Sequence, residues 1–226
     1  MPPWKPVAGF GQLQGERSLS SQEVEVIRRW VEAGAPEGDP RETPPPPPTN
    51  GGWLLGEPDL VVRLDDVYTL PRGSEDTFRN FVLPIPLAET RYVRTLELRP
   101  GGPDTVHHAI MAIDDTASSR RRDAQDAAPG FDGMDMGQAF MPDGHLVGWT
   151  PGMSPFPGLE HSPWRVDSGT DLVLQLHLLA SERAAPLRPE VGFFFADGPP
   201  SGPPMVLIRL DADHRLDIPA GAKSSL

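Results

Sequence analysis

Residues 171–180 read DLVLQLHLLA. Leu172, Leu174, Leu176 and Leu178 recur at every second position, and Val173, Gln175, His177 and Leu179 fill the positions between them. A period of two is that of a β-strand, whose successive side chains point to opposite faces. The strand therefore has one all-leucine face suited to a core. On its other face a glutamine and a histidine stand side by side.

Working outward, similar short β-rich runs occur at 59–70, 77–85, 91–99, 105–114, 190–197 and 204–210, separated by Pro, Gly and Asp turns. The predicted fold is mainly β: an antiparallel jelly-roll β-sandwich with a short N-terminal helical segment. The interval 115–165 is poor in strand signal and rich in Gly, Met and Asp, so it reads as a long excursion carrying short strands that the pattern does not place. No internal repeat is evident.

The helical segment begins at Ser20-Ser21-Gln22-Glu23, which has the form of a capping box. Val24, Val26, Ile27, Trp30 and Val31 then follow helical spacing up to Gly34 and Pro36. One amphipathic helix cannot bury its apolar face alone, so residues 1–42 are expected to be the end of a larger domain. Residues 43–52, with the run Pro44 to Pro48 and Gly51-Gly52, are read as a Pro-rich linker. Residues 53–198 are expected to form the jelly roll. Residues 199–226 are read as a second linker and the start of a further jelly-roll domain.

Composition narrows the function. The 226-residue chain carries a formal net charge of −12, which argues against nucleic-acid binding, since neutralising phosphates needs clustered Lys and Arg. Its one basic cluster, Arg120-Arg121-Arg122, runs straight into Asp123 and reads as a solvated loop. The absence of cysteine removes disulfides, zinc–thiolate sites, thiol nucleophiles and covalent C-x-x-C-H haem attachment within this chain. No apolar stretch approaches membrane-spanning length, and Met1-Pro2-Pro3-Trp4-Lys5-Pro6 does not resemble a signal peptide.

What remains is histidine. The run TVHHAIMAID at 105–114 sets His107 beside His108. Neighbours on a regular strand face opposite ways, so the two reach one partner only where the backbone bends. Arg99-Pro100-Gly101-Gly102-Pro103-Asp104 supplies residues that permit a bend. An all-imidazole triad of His107, His108 and His177 suits copper or zinc, although the spacing from His108 to His177 carries no motif. His145, His161 and His214 are scattered among Gly, Pro, Asp and Ser and read as surface or hydrogen-bonded residues. Met134, Met136, Met141 and Met153 read as gap-fillers ahead of thioether ligands.

Three stretches taken together, HHAIMAID (107–114), LVGWTPGMSPFP (146–157) and LVLQLH (172–177), resemble the N-terminal domain of the copper type II, ascorbate-dependent monooxygenases. This is the family of peptidylglycine alpha-hydroxylating monooxygenase and dopamine beta-monooxygenase. In it an adjacent histidine pair and a third histidine at the end of an L-V-L-Q-x-H strand hold one electron-storing copper. The resemblance spans about residues 53–226 and implies His107, His108 and His177 as copper ligands. The chain departs from the disulfide-rich animal enzymes in having no cysteine. It also reads HLLASER (177–183) where bacterial relatives tend toward H-Y-H-P-T-G, so a second histidine two positions after His177 is missing.

In that family, oxygen chemistry occurs at a second copper, held by a His-x-His pair and a Met on a second domain, and no His-x-His pair follows residue 177 here. At the other end, MPPWKPVAGFGQL and LSSQEVEVIRRWVEAGAPEGDP resemble the last part of a class I bacterial cytochrome c domain. That implies Met1 as a haem axial ligand, only together with an upstream domain that holds haem c. The combined expectation is the electron-storing domain of a bacterial copper monooxygenase fused to a cytochrome c, periplasmic or extracytoplasmic. Cytochrome haem or ascorbate would be the electron donor, with a small-molecule or peptide substrate that the residues do not identify, and the piece alone would hydroxylate nothing. The alternative is a non-catalytic β-sandwich binding or scaffold module without metal. A zinc hydrolase is disfavoured because no H-E-x-x-H pattern and no obvious carboxylate partner accompany the triad, and a serine hydrolase because G-x-S-x-G is absent.

Overall fold

A computed structural model describes residues 18–43, 52–102, 105–145 and 147–206. Met1, the run Pro44 to Pro48, Pro103, Asp104, Leu146, His214 and all of 207–226 lie outside the described residues. The chain divides into two units, 1–49 and 50–226.

In the first unit, helix α1 spans Ser21–Glu32. Its capping box is formed: the Glu23 main-chain N–H donates to Ser20 Oγ at 3.2 Å, and the Ser20 N–H donates to Glu23 Oε2 at 2.7 Å. Arg28 and Arg29 pair with Glu25 one turn away. The helix stops where Gly34 adopts a φ of 86°, and the Trp30 indole donates to Pro36 O at 2.9 Å. None of its residues is buried, so its apolar stripe of Val24, Ile27 and Val31 faces outward.

The second unit is a β-sandwich, as the alternation predicts. Its strands are β1 Leu60–Arg63, β2 Tyr68–Leu70, β3 Thr77–Pro84, β4 Arg91–Arg99, β5 Val106–Asp114, β6 Phe131–Asp132, β7 Val147–Trp149, β8 Trp164–Val166, β9 Asp171–Leu178, β10 Ala185–Leu187 and β11 Glu190–Ala196. A short helix α2, Ser118–Asp123, precedes β6. All pairings are antiparallel. One sheet has the order β1-β11-β4-β8, the second β6-β3-β9-β5-β7, and β2 pairs with β10 as a small ribbon. From β3 to β4 to β5, and from β7 to β8 to β9, the chain crosses between the two large sheets. Strands that pair are thus distant in sequence, which is the jelly-roll habit.

The core lies between these sheets. Leu172, Leu174, Leu176 and Leu178 of β9 meet Phe81 and Leu83 of β3 and Met111 and Ile113 of β5, facing Val93, Leu96, Trp164 and Phe193 from the opposite sheet. The predicted all-leucine face is therefore the core face.

Three local expectations change. The run 59–70 is two strands, because Leu64 and Asp65 turn away and their carbonyls accept from the Arg188 guanidinium at 3.2 and 3.1 Å. Strand β10 was not expected, and residues 204–206 carry no strand. The arginine run lies on helix α2 and not in a loop; Arg120 and Arg121 are solvent-exposed as expected, and all three arginines hydrogen-bond within the chain. Arg120 forms a bidentate pair with buried Asp171 at 2.6 Å, Arg121 donates to Thr116 O, and Arg122 donates to Asp135 O and sits over the Phe131 ring.

The 115–140 excursion packs on the outer face of the second sheet. Arg79, 3% exposed, organises it by donating to the carbonyls of Ala128, Pro129 and Gly130 and to the carboxylates of Asp126 and Asp132. Gly130 is required there: its φ is +83°, and a Cβ would stand 2.4 Å from Asn80 O.

Candidate metal centre

The triad is assembled by a single irregularity in β5. Along the β5–β9 ladder Val106 faces Leu178 and His108 faces His177, so two steps on β5 match one step on β9. His107 is the extra residue of a β-bulge. Its effect shows in the burial: Val106 and Ala109 both point into the core, at 4% and 2% exposed, and the two histidines between them both take the outer face. A regular strand would have sent one of them inward. The irregularity lies at His107 itself; Pro103 and Asp104, where a bend was expected, are outside the described residues.

His177 arrives on the same face because β9 is the neighbour of β5 and its odd-numbered positions point outward, away from the leucines. His107 Nδ1 lies 3.2 Å from His108 Nδ1 and 3.1 Å from His177 Nδ1, and the three ring centroids are 4.9–5.3 Å apart. A ring nitrogen bears either one hydrogen or one in-plane lone pair, so His107 Nδ1 can satisfy only one of these two neighbours. A cation at the focus satisfies all three at once. An ion bonded to imidazole at about 2.0–2.1 Å with tetrahedral angles sets its nitrogens about 3.3 Å apart, close to the two distances from His107 Nδ1. The donor set fits a metal ion, and among the described residues it is the one group of three His, Cys, Asp or Glu side chains placed to share one.

The surroundings prepare the ring nitrogens. Burial first, then the proximity of His177 and His107, holds the His108 pKa below the ordinary imidazole value, which keeps its lone pair free at neutral pH. Phe78, opposite His177 on β3, stacks on the His177 ring at 4.5 Å and meets His108 edge-on at 6.0 Å. Asp76 Oδ2 stands 3.6 Å from His177 Nε2, and its other oxygen accepts from the Ala180 N–H at 2.7 Å. A carboxylate in that position favours the tautomer with hydrogen on Nε2, leaving Nδ1 as a donor to metal. The triad does have a carboxylate beside it, contrary to the sequence reading.

Asp76 and Phe78 were missed because nothing local marks them. Only the antiparallel register of β3 on β9 brings them to the histidines. Farther along the same face Gln175 donates to Asn80 Oδ1 at 2.8 Å and to Met134 O at 3.0 Å, sealing the outer surface beneath the excursion.

The other histidines stand elsewhere. His145 Nε2 contacts Ser162 O at 2.9 Å and its Nδ1 contacts Pro142 O at 3.1 Å, while His161 Nδ1 lies 3.4 Å from Ser201 Oγ. Among the methionines, Met134 is 70% exposed and Met153 lines a separate cavity. Met1, the implied haem ligand, is outside the described residues. Among the described residues no helix is long and apolar enough to cross a membrane. Comparison with known proteins returns no match: no family model fits the chain, and no curated protein and no solved structure is significantly similar to it.

Proposed function

We propose that this chain is a copper-binding, electron-storing domain of a copper-dependent monooxygenase, with His107, His108 and His177 as the ligands. The observation that carries the reading is the gathering of three histidines by way of a bulge, each offering a ring nitrogen within 4.8 Å of the others. Three neutral imidazoles accept both cuprous and cupric ions, so copper held there supplies reversible one-electron storage. The residues of the chain do the rest. His107 is exposed and leaves the centre open to an electron donor, Phe78 shields one side of His177, and Asp76 orients its ring. The resemblance of HHAIMAID and LVLQLH to the copper type II monooxygenases adds the donor, cytochrome haem or ascorbate, and a periplasmic or extracytoplasmic setting.

The test is copper titration of the whole chain against a chelator of known affinity, with the cupric EPR signal followed as ascorbate is added under oxygen. About one copper per chain, bleached by ascorbate without hydroxylation of a panel of C–H substrates, is the expected result. Equal copper affinity in the His107→Ala/His108→Ala/His177→Ala variant overturns the ligand set. Tight zinc binding with no retention of cuprous ion overturns the metal.

A further inference from the structure

On the opposite side of β5 from the histidines, the sandwich gapes. The two large sheets end on the three-residue strands β7 and β8, too short to close the edge. Between them opens a cavity of about 170 Å³. Met111 and Trp149 wall it on one sheet and Leu96 and Trp164 on the other, and Met153 and Phe156 of the 150–163 segment form its lip.

Two features point to a ligand. The first is chemical: apolar side chains make up most of the wall, and the polar ones there contact backbone oxygens of the chain. Arg94 donates to Pro157 O at 2.9 Å, Thr95 Oγ1 donates to Phe156 O at 2.5 Å, and both ring nitrogens of His145 face carbonyl oxygens. An ionic guest would have to exchange its hydration for a wall that is mostly apolar side chains. The second is the rim, where Met153, Phe156, Leu159 and Met205 remain 39–50% exposed. Large apolar side chains turned to water around a concavity mark binding surfaces.

We infer that this cavity binds a small, uncharged aromatic molecule of about one ring. Size and lining both say so. A dry cavity of about 150 Å³ holds benzene, and indole rings with thioether sulfur offer favourable contacts to an aromatic guest. The inference is independent of the metal centre, which lies on the other face of the same strand.

Toluene is the probe, and Trp149 and Trp164, two of the five tryptophans, provide the signal. Added to the full metal-free chain, toluene should change tryptophan emission saturably, with a dissociation constant on the order of 1 mM or tighter. Benzoate, of similar shape but charged, should bind at least tenfold more weakly. Val147→Trp should fill the cavity and Leu159→Arg should place a charge at its mouth, each weakening toluene at least tenfold while leaving metal affinity unchanged. Leu159 is 40% exposed, so its variant reads cleanly even if the larger tryptophan disturbs folding. The inference is overturned by an unsaturable response, by equal toluene binding in Leu159→Arg, by equal benzoate binding, or by sedimentation showing that the cavity is covered by a second copy of the chain.

Discussion

The two faces of strand β9 are both buried, yet by different means and to different ends. Inward, Leu172, Leu174, Leu176 and Leu178 are at most 1% exposed and need only be apolar and the right size. Outward, Asp171, Val173 and Gln175 are also buried, but beneath an excursion whose polar groups must be matched one by one. That outer face is closed at the Asp171 end and opens at His177. The difference teaches that alternation marks which side chains share a face, and that the roofing of the face decides which of them can meet a ligand.

The comparison breaks hardest at the core. Leu174→Ala empties a fully buried site and should cost about 4 kcal/mol of stability, read by urea unfolding, while metal affinity in the remaining folded protein stays within a few-fold. If metal binding fell in step with stability, the two faces would not be separable. His177→Ala should do the reverse: affinity falls at least 100-fold, about 3 kcal/mol, and the unfolding midpoint barely moves.

Asp114 sharpens the contrast, because it lies on the outer face but serves stability. Burial works to raise its pKa, yet hydrogen bonds from Thr116 and from Ser119 prevail and hold the carboxyl well below the usual carboxylate range, and Ser118 Oγ donates to the same carboxylate at 2.9 Å. A depressed folded value means that the stabilisation is complete above the unfolded value of about 4 and is lost as pH falls below it. Asp114→Asn should therefore lose about 2 kcal/mol at pH 7 and show a smaller further loss than the parent between pH 5 and pH 2, measured by denaturant unfolding at each pH.

The smallest effect is assigned to Asp76. Standing 3.6 Å from His177 Nε2 and 57% exposed, it orients without ligating, and Asp76→Asn should weaken metal binding about fivefold, or about 1 kcal/mol. Chelator competition measures it, and a loss as large as that of His177→Ala would mean that the carboxylate is itself a ligand.

Much of the fold is legible in the sequence. The period of two in 171–178 named the core face of β9, and Ser20 with Glu23 marked the start of α1, because both depend on contacts within a few residues. The histidines were legible as a set of residue types, but their meeting was not. His108 and His177 are 69 positions apart, and a bulge exists only relative to the strand that pairs with it. The Arg120 run illustrates the limit from the other side: its exposure was legible, but its pairing with buried Asp171, 51 positions on, was not.

By itself, then, the sequence determined which residues alternate, where the helix is capped, and that without cysteine any soft metal chemistry must rest on imidazole and thioether. Tertiary structure alone decided the pairing order β3-β9-β5, the bulge that turns His107 to the side of His108, the carboxylate of Asp76 behind His177, and the gape between β7 and β8. The physical reason is range. Periodicity and capping are set by bonds to near neighbours, whereas strand register is chosen by the whole hydrophobic face at once, and the position of a functional side chain follows from that choice.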